Sequence, residues 1–145
     1  DQISRGRFDV TFNYADGTKS AVRGGKHLKV PTDKEITAVT YSIAGLLGYV
    51  DSGRHADNFR RLADAKNVRH VIIRLRGLLA ADYEGQEMLA EAVADMEAKG
   101  KVVYVSSASE HIMAELKELP LLFSLRDQKR FTDKTEDALK TIGLL

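Results

Sequence analysis

Cysteine is absent from the 145 residues, which excludes disulfides, thiolate metal sites and cysteine nucleophiles. An excess of charge of either sign is also lacking, because 22 basic and 21 acidic residues leave a formal net charge of +1. A nucleic-acid-binding domain normally carries a marked basic excess, so we expect no nucleic acid partner. No apolar run approaches the roughly 20 residues that span a bilayer, and no signal-peptide pattern opens the chain.

The motifs of common enzymes and metal proteins are missing too. The histidines are scattered without the pairing that ligates a metal, so we expect no metal: His27, His55, His70 and His111. Gly24-Gly25-Lys26 lacks the spacing of a phosphate-binding loop, and no Gly-x-Ser-x-Gly sequence is present. The sequence therefore predicts no cofactor and does not favour an enzyme.

Residues 1–34 are predicted to form an N-terminal hairpin and linker appendage. Phe8, Val10 and Phe12 alternate with polar residues, an Asp16-Gly17 turn follows, and a second short run covers residues 19–22. Alternation around an Asp-Gly turn is typical of a β-hairpin.

Residues 35–145 are predicted to form one α/β domain with a central mixed, mostly parallel sheet and about four helices. Predicted strands cover residues 35–43, 71–75 and 102–105, with a short edge strand at 123–125. Predicted helices cover residues 52–66 and 84–99, with two more from about 109 and 132. Ser52 is the expected N-cap of the first helix, and Ser107 with Glu110 has capping-box spacing before the third.

The turn after the central strand, Asp82-Tyr83-Glu84-Gly85, is the candidate site. Loops at the carboxyl ends of parallel strands lie at the crevice where ligands and partners bind. Asp82 is explained structurally as an N-cap whose charge matches the helix dipole. Gly85 is harder to explain, because glycine costs up to about 1 kcal/mol against alanine in a helix unless something packs closely there.

An acidic stripe follows the turn, because Glu84, Glu87, Glu91 and Asp95 are spaced by three, four and four residues. Such a stripe is usually a solvated helix face. Since this one runs directly from the crevice loop, a contact surface for a basic partner is the alternative.

At this turn the sequence resembles the STAS family of sulfate transporters and anti-sigma-factor antagonists. The family pattern is a hydrophobic strand, then Asp-Ser-Ser/Thr-Gly opening a helix, then a Lys/Arg-Gly-x-hydrophobic strand. Matching segments are 71–77, Asp82-Tyr83-Glu84-Gly85 and 97–105, with further likeness at 43–49 and at Phe131-Thr132-Asp133. The Ile-Arg-Leu-Arg form of residues 73–76 and the Gly-Leu-Leu-Gly-Tyr form of residues 45–49 are closer to the SulP transporter branch.

One departure from the family concerns the phosphorylated hydroxyl of the anti-sigma antagonists. Tyr83 and Glu84 occupy the two hydroxyl positions here, and glutamate cannot accept phosphate. A fixed charge of −1 also only partly imitates the roughly −1.5 to −2 of a phosphoserine. Either the site is locked in an acidic, phosphate-like state, or the helix start has drifted because no kinase reads it.

The resemblance implies a non-catalytic regulatory domain of a SulP-type anion transporter, on the cytoplasmic side of the membrane and tethered through a missing transmembrane part. The first residue, Asp1, also favours a fragment of a longer protein. Expected partners are the rest of the transporter, a regulator or a second copy; a nucleotide could occupy the crevice, although no motif supports one. The alternative is a stand-alone regulator that binds a kinase or anti-sigma factor. A third interpretation, a small enzyme using Asp82 and Glu84 as an acid–base pair, lacks an accompanying nucleophile or cofactor loop.

Overall fold

The computed structural model describes residues 7–24 and 27–145. The six strands are β1 (Arg7–Tyr14), β2 (Lys19–Arg23), β3 (Ile36–Leu47), β4 (Val68–Ala81), β5 (Val102–Ser106) and β6 (Phe131–Thr132). The helices are α1 (Tyr49–Asp64), α2 (Tyr83–Ala98), α3 (Glu110–Lys117), α4 (Phe123–Asp127) and α5 (Thr135–Ile142), with a 3-10 turn at Pro120–Leu122. Within these described ranges, no helix is long and apolar enough to cross a membrane.

The strands form one mixed sheet in the order β2-β1-β3-β4-β5-β6. β1 is antiparallel to both of its neighbours, while β3, β4, β5 and β6 run parallel. Helices connect the parallel strands, because parallel neighbours need a crossover connection. The predicted α/β fold with a mostly parallel sheet is therefore confirmed.

Helices cover the two faces of the sheet unequally. Alternate residues of a strand point to opposite faces. Val71 and Ile73 of β4 belong to the main core with side chains of α1, α2 and α3, whereas Ile72 between them packs with Tyr104 and with Ala138 of α5. The second face thus has α5 as its helical cover over β4 and β5.

The predicted hairpin is confirmed, and β1 continues the sheet of the body. Phe8, Val10 and Phe12 are buried in the main core, and the Phe8 ring stacks on Tyr41 of β3 at 5.4 Å. At the turn, the Asp16 carboxylate accepts hydrogen bonds from the Thr18 side chain and backbone, which lower the pKa of Asp16 to about 2. The predicted boundary near residue 34 falls in the loop before β3. The strands on its two sides belong to one sheet.

The short strand predicted at residues 123–125 is wrong, because these residues begin α4. Pro120 opens a 3-10 turn, and Leu122 and Leu125 are both buried at a spacing of three, which suits a helical path. The edge strand is instead Phe131–Thr132, which pairs with β5 at Val105 and Ser106. The last helix consequently begins at Thr135 rather than near Thr132.

Two predicted helix caps are also wrong. α1 begins at Tyr49, before Ser52, and the Ser52 hydroxyl donates to the Gly48 carbonyl inside the first turn at 2.7 Å. Ser109, not Ser107, caps α3 by accepting a hydrogen bond from the Ile112 N–H at 3.4 Å. Ser107 has a left-handed backbone with φ +63°, which belongs to the turn after β5.

Loss of the Phe12 ring tests whether the hairpin is structurally part of the domain. Phe12 is 0% exposed, so Phe12→Ala should lower the free energy of unfolding by about 3–5 kcal/mol through a cavity in the core. Val22 on β2 is 43% exposed, and Val22→Ala should change it by no more than about 0.5 kcal/mol. Urea unfolding followed by circular dichroism measures both; a Phe12→Ala loss below about 1 kcal/mol would mean that the hairpin packs only peripherally.

Candidate functional site

The Asp82 carboxylate lies between the starts of two helices. β3 ends at Leu47 and β4 ends at Ala81, so α1 and α2 begin side by side at the same edge of the sheet. Asp82 Oδ1 accepts a hydrogen bond from the Gly85 N–H at 2.8 Å, and Oδ2 accepts one from the Tyr49 N–H at 3.3 Å. Asp82 therefore caps α2, as the sequence predicts, and also reaches α1, whose own N-cap residue Gly48 has no side chain.

Two glycines allow this close approach. A Cβ atom on Gly85 would lie 2.5 Å from the Leu47 carbonyl oxygen, and a Cβ on Gly48 would lie 2.5 Å from Asp82 Oδ2. The Asp82 N–H donates to the same Leu47 carbonyl at 3.0 Å, which holds the turn against β3. The close packing that glycine at position 85 implies is thus contact with the backbone of the neighbouring strand.

Tyr83 and Glu84 point into solvent at the beginning of α2. Tyr83 is 72% exposed, and its hydroxyl donates a hydrogen bond to Glu87 Oε1 at 2.5 Å. This bond to a carboxylate, followed by the charge of Glu87, raises the pKa of the Tyr83 hydroxyl. Glu84 forms no ion pair or side-chain hydrogen bond within residues 7–24 and 27–145.

Two of the four residues of the acidic stripe have partners on other side chains, and two do not. Glu87 accepts the Tyr83 hydroxyl, and Asp95 pairs with Lys99 at 3.4 Å, while Lys99 also contacts Asp64 at 2.6 Å. The hydrogen bond to Lys99 lowers the pKa of the Asp64 carboxyl. Glu91 is exposed and, among the described residues, has no ion-pair partner. The free acidic groups of the stripe are therefore Glu84 and Glu91.

An apolar groove of about 310 Å³ adjoins the Asp82 turn. Its walls come from the ends of β3 and β4 and the start of α1: Leu46, Leu47, Gly48, Tyr49, Val50, Asp51, Ala80 and Asp82. The last β4–β5 pair is Arg74 with Ser106, whereas β3 and β4 stay paired to Leu47 and Ala81. The groove thus belongs to a two-stranded extension beyond the rest of the sheet.

Exposed apolar side chains concentrate around this groove and the Asp82 turn. The structure describes eight exposed large hydrophobic residues; three of them line the groove, and two more lie within three residues of Asp82 in the chain. We name these five the crevice patch: Leu46, Tyr49, Val50, Leu79 and Tyr83. Of these, only Tyr83 belongs to the site that the sequence predicts. Tyr49 and Val50 precede the predicted N-cap Ser52. An N-cap placed at Gly48 would have moved them into the first turn of α1, where side chains are commonly exposed.

The described residues include no group of three or more His, Asp or Glu side chains that could hold a metal ion. The histidines have separate surroundings: His55 Nδ1 is 2.7 Å from the Tyr41 hydroxyl in the core, and His70 Nδ1 is 2.9 Å from the Thr37 carbonyl oxygen. Asp82 already uses both carboxylate oxygens to hold backbone N–H groups. The arrangement is suited to fixing helix starts and presenting apolar side chains.

No family model and no curated protein sequence matches the chain. Solved structures do match it. The murine Solute Carrier 26 family member A9 anion transporter, in its inward-facing state, aligns with a TM-score of 0.68 and 12% identity over 97% of this chain and 23% of the transporter. This chain therefore spans about a quarter of that transporter's length.

Two bacterial proteins also share the architecture. The STAS domain of a SulP transporter from Vibrio cholerae aligns with a TM-score of 0.58 and 22% identity, over 72% of this chain and 78% of that domain. The Bacillus cell-fate determinant SpoIIAA, in its phosphorylated form, aligns with a TM-score of 0.59 and 13% identity, over 79% of this chain and 96% of that protein.

These similarities define the chain as a domain with the STAS fold, which confirms the fold that the sequence resemblance predicts. The matches include anion transporters that carry the fold as one part, and the anti-sigma factor antagonist SpoIIAA, of which it is nearly the whole. At identities of 22% and below, the likeness establishes the fold alone.

Alanine at position 85 tests the contact with Leu47. Gly85→Ala should lower the free energy of unfolding by about 1–3 kcal/mol, because the new Cβ would overlap a backbone carbonyl that cannot easily move. Gly53, in the interior of α1, has nothing within 4 Å of its Cβ position, so Gly53→Ala should instead stabilise by up to about 1 kcal/mol. Chemical denaturation distinguishes them, and an equal response of the two variants would refute the packing role of Gly85.

Proposed function

We propose that the chain is a non-catalytic, regulatory STAS domain of a SulP-type anion transporter, and that it binds a protein partner through the crevice patch. The observation that carries this proposal is the clustering of five of the eight exposed large apolar side chains around the Asp82 turn. Clustered apolar exposure marks interaction sites on soluble domains, whereas single exposed hydrophobic residues are ordinary.

The composition of the patch suits a protein–protein interface. Tyr49 is 77% exposed and Tyr83 72%, and tyrosine is enriched among the residues that contribute most to binding. Glu84 follows Tyr83 directly and Glu91 lies about two turns further along α2, both without ion-pair partners in the described part of the chain. The partner surface therefore has an apolar centre and basic groups toward α2.

The role of Asp82 supports binding rather than catalysis. A general acid or base needs a carboxyl group that can reach a substrate proton. Both oxygens of Asp82 instead accept backbone N–H groups of α1 and α2, and Glu84 is a solvent-exposed side chain without a described partner. The acid–base pair of the enzymatic interpretation is therefore not favoured by the geometry.

The transporter setting is supported by the extent of the match to one anion transporter. The murine transporter aligns over 97% of this chain, which includes the N-terminal hairpin, whereas the SulP domain from Vibrio cholerae aligns over 72% and SpoIIAA over 79%. We place the domain accordingly on the cytoplasmic side of a membrane, joined to a membrane-embedded remainder. Its partner at the crevice patch is then the rest of the transporter, a regulator or a second copy.

A free regulator that binds a kinase or an anti-sigma factor is the second candidate. Its support is that the chain covers 96% of SpoIIAA, a protein solved in phosphorylated and unphosphorylated forms. Glu84 cannot be phosphorylated, and the Tyr83 hydroxyl is bonded to Glu87, so this candidate requires recognition without a serine switch.

The full gene and an uptake assay separate these functions. Flanking sequence that encodes repeated hydrophobic spans supports the transporter, and its absence together with a neighbouring kinase gene favours the free regulator. The uptake assay uses the full-length protein in membrane vesicles. The double substitution Tyr49→Ser with Leu79→Ser should change the rate of radiolabelled sulfate uptake by about tenfold, because it removes two side chains that anchor the proposed interface. The matched control is Leu121→Ser with Leu145→Ser, which removes exposed apolar side chains outside the patch. Equal uptake by both double variants, with equal thermal stability, would contradict a binding role of the patch.

A further inference from the structure

A second groove, of about 440 Å³, lies on the face of the sheet that α5 covers. Its lining comes from the middle of β4, where the pairing with β5 ends, from the residue after β5, and from the start of α5: Arg74, Arg76, Ser107, Asp133, Lys134, Thr135 and Glu136. Arg74 and Arg76 are two residues apart in β4 and share the face of Ile72, which packs with Ala138 of α5. We name this site the basic groove.

The cations of the basic groove lack internal partners. Arg74 is half-buried, yet neither it nor Arg76 nor Lys134 has a side-chain hydrogen bond or ion pair within residues 7–24 and 27–145. Arg130 provides the contrast, since its half-buried guanidinium contacts Glu97 Oε2 at 2.6 Å and donates to the Val103 carbonyl at 2.9 Å. A guanidinium removed from water normally acquires such acceptors, so Arg74 is available to an external anion.

The remaining wall residues leave the groove positive and rich in hydrogen-bonding groups. Asp133 and Glu136 also line it, so three cations face two carboxylates, and none of these pairs approaches within ion-pair distance. The Ser107 and Thr135 hydroxyls are 3.2 Å apart in the wall. Lys134 is the N-cap residue of α5 and makes no side-chain capping bond. The N–H groups of the first turn therefore add to the positive potential of the groove, although the site itself is formed by the side chains.

We propose that the basic groove binds a tetrahedral oxyanion, a sulfate or phosphate group, through Arg74, Arg76 and Lys134. The planar guanidinium group matches two oxygens of such an anion at once, and a lysine adds a point charge. The volume exceeds that of one oxyanion, so the group can be free or carried by a small organic molecule. This site does not depend on the proposed function, because none of the residues of the crevice patch lines it.

Isothermal titration calorimetry at low ionic strength tests the proposal with three probes: inorganic sulfate, inorganic phosphate and glycerol 3-phosphate. Arg74→Gln with Arg76→Gln should weaken binding by tenfold or more, which is the scale of one lost charge-assisted contact. The control is Arg69→Gln, an exposed arginine at the opposite end of β4 that lacks an ion-pair partner in the described residues. The exposed Arg76→Gln alone, with an expected loss of about threefold, replaces the double variant if that variant does not fold.

The outcomes are distinct. Similar affinity for the inorganic anions and for glycerol 3-phosphate indicates that the ligand is a free oxyanion. Tighter binding of glycerol 3-phosphate indicates that it is a phosphorylated small molecule. Either result supports the site if the arginine variants lose binding and Arg69→Gln does not. Failure of the unmodified protein to bind any probe overturns the proposal. Binding that survives the arginine substitutions, or that leaves the amide resonances of Ser107 and Thr135 unmoved, overturns it as well.

Discussion

The carboxylate of Asp82 fixes the starts of α1 and α2 relative to each other and to β3. Each helix begins with N–H groups that have no acceptor within the helix, and the Asp82 side chain accepts from one such group of each. An N-cap interaction contributes about 1 kcal/mol, and here two of them depend on the same residue. The geometry is possible only because positions 48 and 85 carry no Cβ.

The crevice patch depends on that junction. Tyr49 and Val50 lie in the first turn of α1 and Tyr83 in the first turn of α2, so their proximity follows from the shared cap. Leu46 and Leu79 come from the extension of β3 and β4 beyond β5. A rigid scaffold thus holds exposed apolar groups in place, which reduces the entropy lost when a partner binds. The proposed oxyanion site is lined by none of these residues, so an apolar surface and a basic groove belong to separate parts of the domain.

Sequence reasoning succeeded where periodicity or turn chemistry is local. The Asp16-Gly17 turn, the apolar spacing of α2 and the cap at Asp82 each follow from a few adjacent residues. Gly85 was recognisable as costly in a helix, but the reason is a contact with Leu47, which lies 38 positions earlier in the chain and is adjacent only through strand pairing.

The errors arose where the information was not local. Three residues at 123–125 are too few to distinguish a strand from a helical turn, and burial of Leu122 and Leu125 against the core decides for the helix. The strand β4 continues to Ala81 because β3 pairs with it, past the Arg76-Gly77 step that ends the apolar run. Exposure of Tyr49 and Leu79 is likewise a tertiary property, since nothing in their composition separates them from core residues.

Amide hydrogen exchange in Asp82→Ala tests the shared cap most directly. If one carboxylate holds both helices, the amides of Gly85 and Tyr49 should both exchange faster, by about tenfold, because local opening no longer breaks a capping bond. Ser109→Ala, which removes the separate cap of α3, should accelerate Ile112 and leave Gly85 and Tyr49 unchanged. Faster exchange at Gly85 with Tyr49 unaffected in Asp82→Ala would show that α1 is held independently, and would contradict the account.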